Sequence, residues 1–315
     1  MSENRFAFVF PGQGSQKVGM LQPAYERFEV VQNTFSEASE TLGYDMWDLI
    51  CHGEQEALNL TETTQPVLLT CSVALWRAWL AKGGSTPTVM AGHSLGEFSA
   101  LVCAGSLDFA DAVNLVKLRG SFMQSAVPLG EGAMAAIIGL DDDVINQVCA
   151  DISQETRQTV SAVNFNSPGQ VVIAGHTAAV EGACAALKDA GAKRALPLPV
   201  SAPFHTALMA PAGEQLADVV ESLTFASPKI PVVHNVHATT EADAAEIKAL
   251  LVQQISSPVQ WTSCVESMAA MGVTSLVECG PGKVLSGLTR RINKSLQSYS
   301  VEEPEGLLAT IEALT

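Results

Sequence analysis

One short stretch limits the possible folds more than any other. "VMAGHSLGEFSA", Val89 to Ala100, contains Gly92-His93-Ser94-Leu95-Gly96. The spacing G-x-S-x-G suits a sharp strand-to-helix turn. Its glycines remove side chains that would collide with neighbouring backbone. Its serine stands at a helix N-terminus, where the dipole and free N–H groups favour an oxyanion. An apolar run precedes the motif and a helix-period run follows it, as such a turn requires. No other G-x-x-x-G occurs in the chain. Ser94 is therefore a candidate nucleophile. The competing explanation is a helix-packing glycine pair with an incidental serine.

The surrounding pattern agrees with a parallel sheet. Phe6–Phe10, Thr88–Ala91, Ile230–Val233 and Ser275–Glu278 read as buried strands, and Pro66–Leu80 and Ser94–Ala104 as helices between them. Strands alternating with helices imply a parallel sheet covered on both faces. The middle of the chain reads differently. Strand Ala133–Ile138, helix Asp141–Ala150, strand Val160–Phe165, turn Ser167-Pro168-Gly169, strand Gln170–Ala174, helix Thr177–Ala190 and strand Lys193–Leu198 follow one another. That order, βαββαβ, is the ferredoxin-like pattern. The expected organisation is an α/β parallel-sheet domain over residues 1–127 and 201–315, with a ferredoxin-like subdomain over 128–200 inserted into it. Pro128 and Gly130 at one end, and Pro197, Pro199 and Pro203 at the other, are candidate hinges.

"FVFPGQGSQKVG", Phe8 to Gly19, places a glycine-rich loop straight after the first strand. It is not a phosphate cradle of a known kind. Lys17 stands where the third glycine of G-x-G-x-x-G would be, and the Walker pattern G-x-x-x-x-G-K-[ST] is absent. A plain Pro/Gly turn is the simpler alternative.

With 315 residues, 47% of them hydrophobic, the chain can build a large core. A net charge of −16 argues against nucleic acid as a partner. The seven cysteines, Cys51, Cys71, Cys103, Cys149, Cys184, Cys264 and Cys279, are scattered and contain no C-x-x-C. Neither a disulfide framework nor a zinc site is expected, and a reducing cytoplasm fits. No signal peptide or membrane-spanning run is read.

A serine nucleophile needs a base. His93 adjoins Ser94 and is read as pointing away from it, and His52 and His176 as solvated in loop-like stretches. His234 and His237 follow a strand with H-x-x-H spacing, a weak metal pair without a carboxylate in register. His205, in "PVSAPFHTALMAP", lies on a loop where a strand has just ended, which is where active sites gather in open parallel sheets. Position favours His205 and leaves His234 and His237 as alternatives. Arg119 is the other notable residue. Asp108 is placed to cap a helix running to about Val127, on which Ala112, Val116 and Met123 form one face with Arg119 at its flank. An arginine there needs an anionic partner, either a structural carboxylate or one on a substrate.

"FVFPGQGSQKVGM", "TQPVLL", "AGHSLGE", "LRG", "NFNSPGQVVIAG", "SAPFH", "SPVQW" and "GPGKVLSGL" occur in this order, from residue 6 to about 291. Together they resemble the malonyl-CoA:acyl carrier protein transacylases, the loading enzymes of bacterial type II fatty-acid biosynthesis. The resemblance implies an α/β-hydrolase-like domain with an inserted ferredoxin-like subdomain. It implies Ser94 as nucleophile and His205 as general base. The oxyanion hole would be the backbone N–H groups of Gln13 and Leu95, so that the opening loop binds an alkoxide rather than a phosphate. Arg119 would hold the malonyl carboxylate, with Gln65 at the substrate pocket. The main-chain carbonyl of Gln254 would orient His205 in place of a carboxylate.

The implied activity is a ping-pong acyl transfer from a CoA thioester to acyl carrier protein, without metal or redox cofactor, by a cytoplasmic monomer. Acyl carrier proteins are acidic as a family, so a local basic surface is required for docking. Lys193-Arg194 and Arg290-Arg291 are the candidate pairs, with solvated surface charge as the alternative. A serine hydrolase, such as a thioesterase or esterase, and a catalytically silent carrier-protein-binding module are the rival readings.

Overall fold

A computed structural model describes residues 5–200 and 202–314. The expected boundary residue Ser201, which opens "SAPFH", and the chain ends 1–4 and 315 lie outside the described residues.

The first sheet is parallel throughout. It contains β1 (Phe6–Phe10), β2 (Val89–Gly92), β7 (Val232–Val233), β8 (Ser275–Glu278) and β9 (Gln297–Ser300), in the order β7-β2-β1-β8-β9. The sequence FAFVF explains why β1 is central. Phe6, Phe8 and Phe10 face one side, where Phe8 packs edge-on against Trp76 and Trp79. Ala7 and Val9 face the other, against the Trp261–Ala270 helix. Period-two alternation with both faces apolar buries the strand completely. Phe10 pairs with Gly92, so the loop after β1 and the turn after β2 emerge side by side at the C-terminal edge.

The second sheet is antiparallel, with β3 (Gly132–Ile138), β4 (Val160–Ser167), β5 (Gln170–His176) and β6 (Arg194–Pro197) in the order β4-β5-β3-β6. With helices Asp142–Thr156 and Thr177–Asp189 between its strands, this is the ferredoxin-like order. Ala135, Ile137 and Ile173 face these helices in a separate core. Ala136, Val172 and Gln170 face the parallel-sheet side, where they line a groove. Val259 accepts from the Phe165 N–H and donates to the Val163 carbonyl, which ties β4 to the larger part of the molecule.

Several expected boundaries move. The strand expected at Ile230–Val233 is only Val232–Val233, at the sheet edge. The helix expected from Pro66 begins at Thr61, because this proline lies inside the helix instead of opening it. The Asp108-capped helix runs Phe109–Ser125, and the Asp108 carboxylate accepts from the Ala110 and Asp111 N–H groups as expected. β9 was not read from the sequence, nor were the helices between Gln22 and Leu58.

Candidate active site

The turn after β2 is as tight as its glycines suggest. A Cβ on Gly92 would lie 1.8 Å from the Gly96 carbonyl carbon, and one on Gly96 would lie 2.1 Å from the Phe10 carbonyl oxygen. Ser94 itself sits at φ 51°, ψ −107°, a conformation that costs a non-glycine residue about 1–3 kcal/mol. Three hydrogen bonds hold it there. The Ser94 N–H donates to Asn235 Oδ1 at 2.7 Å, and the Ser94 carbonyl accepts from the Glu97 N–H at 3.0 Å and from Gln254 Nε2 at 3.1 Å.

His205 is the base candidate that reaches the serine. Its Nε2 is 2.8 Å from Ser94 Oγ and its Nδ1 is 2.9 Å from the Gln254 carbonyl oxygen. A carbonyl can only accept, so Nδ1 carries the proton and Nε2 is left to accept from the hydroxyl. His205 also has a positive φ, 63°, so both members of the dyad are held in strained backbone. Burial, and then the Arg119 charge, push its pKa down to about 3. The imidazole is therefore neutral at neutral pH, with Nε2 unprotonated.

His234 and His237 do not join the site. His234 Nδ1 lies 2.7 Å from Glu97 Oε1, and exposed His237 meets Thr239 Oγ1. His93 turns from the hydroxyl to Asn166 Oδ1 at 2.8 Å. His52 ends a short helix beside Asp48, and His176 ends β5, where its Nδ1 accepts from the Thr159 N–H. Neither lies in the loop-like stretch expected.

Arg119 sits inside the apolar face of its helix instead of at the flank, and is 1% exposed. Nη1 donates to Gln65 Oε1 at 2.8 Å, while Nη2 donates to Gln254 Oε1 at 2.8 Å and to Ser94 Oγ at 3.1 Å. The guanidinium lies 5.1 Å from the Phe98 ring centroid. Among the described residues no carboxylate lies within ion-pair distance of it, and its buried Nε has no partner. Burial lowers its pKa to about 10, against the opposing pull of Glu97, so it stays charged at neutral pH.

Ser94, His205, Arg119, Gln65, Gln13 and Leu95 line one cavity of about 110 Å³. Leu95 opens the elbow helix, where its N–H has no intrahelical acceptor. Gly12 packs so closely under the turn that a Cβ would lie 2.5 Å from the His93 carbonyl oxygen, which sets Gln13 beside Ser94. A second cavity of about 250 Å³ shares Gln13, His93, Asn164 and Leu198 with the first. Lys193, Arg194, Arg290 and Arg291 are exposed and lie outside both cavities.

Sequence reasoning missed Asn235 and Glu97. Glu97 had a signal: it is the one charge in the otherwise apolar helix LGEFSALVC. Among the described residues no group of three or more His, Cys, Asp or Glu is arranged to hold a metal ion, and no helix is long and apolar enough to cross a membrane.

The arrangement can activate a hydroxyl, stabilise an oxyanion and hold an anion beside the reacting carbon. Comparison with known proteins agrees with it. The family model described as acyl transferase domain matches residues 7–309. A malonyl CoA-acyl carrier protein transacylase of Salmonella typhimurium is 59% identical over 307 residues, covering 98% of this chain and 99% of that one; the protein of that name from Escherichia coli K12 is 58% identical over 308. Among solved structures, an acyl carrier protein S-malonyltransferase from Vibrio cholerae superposes with a TM-score of 0.95 at 57% identity, covering 97% of this chain and 99% of that one. A malonyl-transacylase solved in complex with its type II PKS acyl-carrier protein superposes at 0.96 and 54%, covering 98% and 99%. This chain belongs to the malonyl CoA-acyl carrier protein transacylase family of acyl transferases.

Proposed function

We propose that the chain moves a malonyl group from malonyl-CoA to the phosphopantetheine thiol of an acyl carrier protein, through a malonyl-Ser94 intermediate. Ser94 Oγ attacks the thioester carbon as His205 Nε2 takes its proton. The backbone N–H groups of Gln13 and Leu95 receive the alkoxide. The tetrahedral species collapses, the C–S bond breaks, and CoA leaves as the thiol with the proton from His205. The carrier-protein thiol then repeats these steps in the opposite direction. Gln254 fixes the His205 tautomer with a neutral carbonyl, and a thioester needs less activation than an amide. Attack, collapse and transfer are acid–base and nucleophilic steps, so we assign no metal or redox cofactor. We assign the enzyme to the cytoplasm, where its seven free thiols remain reduced.

One observation carries the malonyl reading: a buried, charged guanidinium 3.1 Å from the nucleophile, with neutral partners and one unpaired donor. A substrate carboxylate completes its pairing, with Gln65 steadying the fork. Acyl donors without that carboxylate leave the charge unpaired. Brief exposure to malonyl-CoA should put one malonyl adduct on the peptide carrying Ser94. Arg119→Ala should lose malonyl loading by about 30-fold or more while keeping acetyl loading, since truncating a buried charge pair costs about 2–5 kcal/mol. Equal losses for both acyl groups would make Arg119 a structural residue. Release of free malonate in place of transfer to a thiol would make the enzyme a hydrolase.

For the carrier protein we assign one basic rim. Arg291 donates to Gln170 Oε1, and Gln170 lines the outer cavity. Gln170 pairs across β5 and β3 with Ile138, whose other neighbour is Arg194 on β6. Lys193-Arg194 and Arg290-Arg291 thus flank the same end of the groove through which the pantetheine arm would enter, on a chain of net charge −16.

A further inference from the structure

We propose that Glu97 is a positioning residue for Arg119, acting through the side-chain amide of Gln254, which it holds with the oxygen toward the guanidinium.

A buried guanidinium needs a nearby anion, but a carboxylate in direct contact would occupy the fork that a substrate has to use. Here an amide stands between them. Arg119 Nη2 donates to Gln254 Oε1 at 2.8 Å, and Gln254 Nε2 donates to Glu97 Oε2 at 2.8 Å. Glu97 is fully buried in the first turn of the elbow helix. Its Oε2 also accepts from the Asn235 N–H at 2.9 Å, and its Oε1 faces His234 Nδ1 at 2.7 Å. Asn235 in turn accepts the Ser94 N–H and donates to the Gly92 carbonyl at 2.7 Å.

An amide presents an oxygen at one end and an NH2 at the other, and only its neighbours decide which way it points. A carboxylate oxygen accepts and does not donate. Facing Gln254, it draws the NH2 to itself and turns the oxygen to Arg119. The negative charge is felt at Arg119 as well, where it opposes the loss caused by burial. Gln254 Nε2 also donates to the Ser94 carbonyl at 3.1 Å and, at 3.4 Å, to Asn235 Oδ1. With glutamine at position 97, an NH2 can face Gln254 instead, the shortest of these bonds is lost, and the Gln254 amide is freer to flip. Its own NH2 would then meet the donors of Arg119, which would turn away. The main-chain carbonyl on His205 is unaffected by such a flip.

The inference rests on Arg119 as the malonyl-carboxylate site. The test is loading of Ser94 by malonyl-CoA and by acetyl-CoA, followed by quench and intact mass, in wild type, Glu97→Gln, Arg119→Ala and the double variant. Glu97→Gln should lower malonyl loading about tenfold relative to acetyl loading, with the loss mainly in KM for malonyl-CoA. In the Arg119→Ala background the same change should leave the malonyl-to-acetyl ratio unchanged. Gln254→Leu, which removes the amide but keeps the main-chain carbonyl, should reproduce the loss of selectivity, and it decides the matter if Glu97→Gln does not fold. An equal fall for both donors in Glu97→Gln and Gln254→Leu, or a further fall in the ratio on the Arg119→Ala background, overturns the proposal. Arg119→Ala leaving the ratio unchanged would instead overturn the malonyl reading itself.

Discussion

The parallel sheet buries both of its faces in the protein's own apolar side chains, whereas the antiparallel sheet buries one face under its own two helices and sets the other, with Met134, Val172 and Ala174, partly against the large core and partly along the groove. The difference separates two tasks. Because β1 and β2 are covered on both sides, their chemistry is confined to the edge where strands end, and Gln13, Ser94 and Leu95 converge there. Neither of the candidate catalytic residues, Ser94 and His205, lies on the antiparallel sheet. That sheet contributes Ala136, Val172 and Gln170 to the wall along which a substrate arm would lie. Damage at the parallel-sheet edge should therefore stop both half-reactions, while damage on the exposed rim of the groove between the two sheets should affect only the partner.

The largest effect tests the first half of that contrast. His205→Ala should slow malonyl loading from CoA and unloading to carrier protein alike, by on the order of 10⁴-fold, since removing one member of a coupled catalytic set costs nearly as much as removing all of it. Single-turnover mass spectrometry on each half-reaction reads both rates. A variant impaired in one direction only would break the assignment of one base to both steps.

The division also governs what the sequence could disclose. Ser94 was legible because a strained turn needs glycines at fixed spacing. His205 was favoured as following a strand of an open parallel sheet, but the strand before it, β6, belongs to the antiparallel sheet, so that reason did not carry it. The second sheet was legible from its alternating strands and helices, in nearly correct order. The role of Gln254 was not legible from its residue type, because the acceptor for His205 is a main-chain carbonyl that any residue supplies. It came only with the family resemblance. Glu97 and Asn235 meet from positions 138 residues apart, and no local pattern records such a meeting. β9, QSYS, has no apolar run to mark it. Arg119 was read at the flank of the Ala112, Val116 and Met123 stripe, yet, three residues after Val116 and four before Met123, it shares that stripe and lies among buried neighbours, tied to two glutamines.

A second effect sharpens the contrast through acid stability. The His205 pKa is about 3 in the folded protein and about 6.5 in the unfolded chain. Above pH 6.5 both states hold it neutral and it contributes nothing. As pH falls from 6.5 towards 3, the unfolded chain takes up a proton that the folded site refuses, so stability is lost at up to about 1.4 kcal/mol per pH unit. Urea unfolding at pH 7.5 and at pH 5 should show wild type losing about 2 kcal/mol more than His205→Gln across that interval. Parallel pH profiles would mean that His205 takes up a proton in the folded protein as readily as in water.

The smallest effect tests the second half. Arg290 and Arg291 end the helix Val284–Ile292, which packs on β4 and contributes Val284, Leu285 and Leu288 to the groove. Reversing both to Glu removes two positive charges and adds two negative ones, taking the net charge from −16 to about −20, and removes the Arg291 bond to Gln170. Both side chains are exposed, so their work is in association, where rim charges change encounter rates and salt dependence more than chemistry. KM for the carrier protein should rise by about three- to tenfold and its salt dependence should flatten, with malonyl loading of Ser94 from CoA within about twofold of wild type. An unchanged KM for the carrier protein would remove this pair from the docking rim and leave Lys193-Arg194 to be tested alone. A loss of loading from CoA would show that the rim serves the CoA phosphates as well, and the rim would then take part in the first half-reaction.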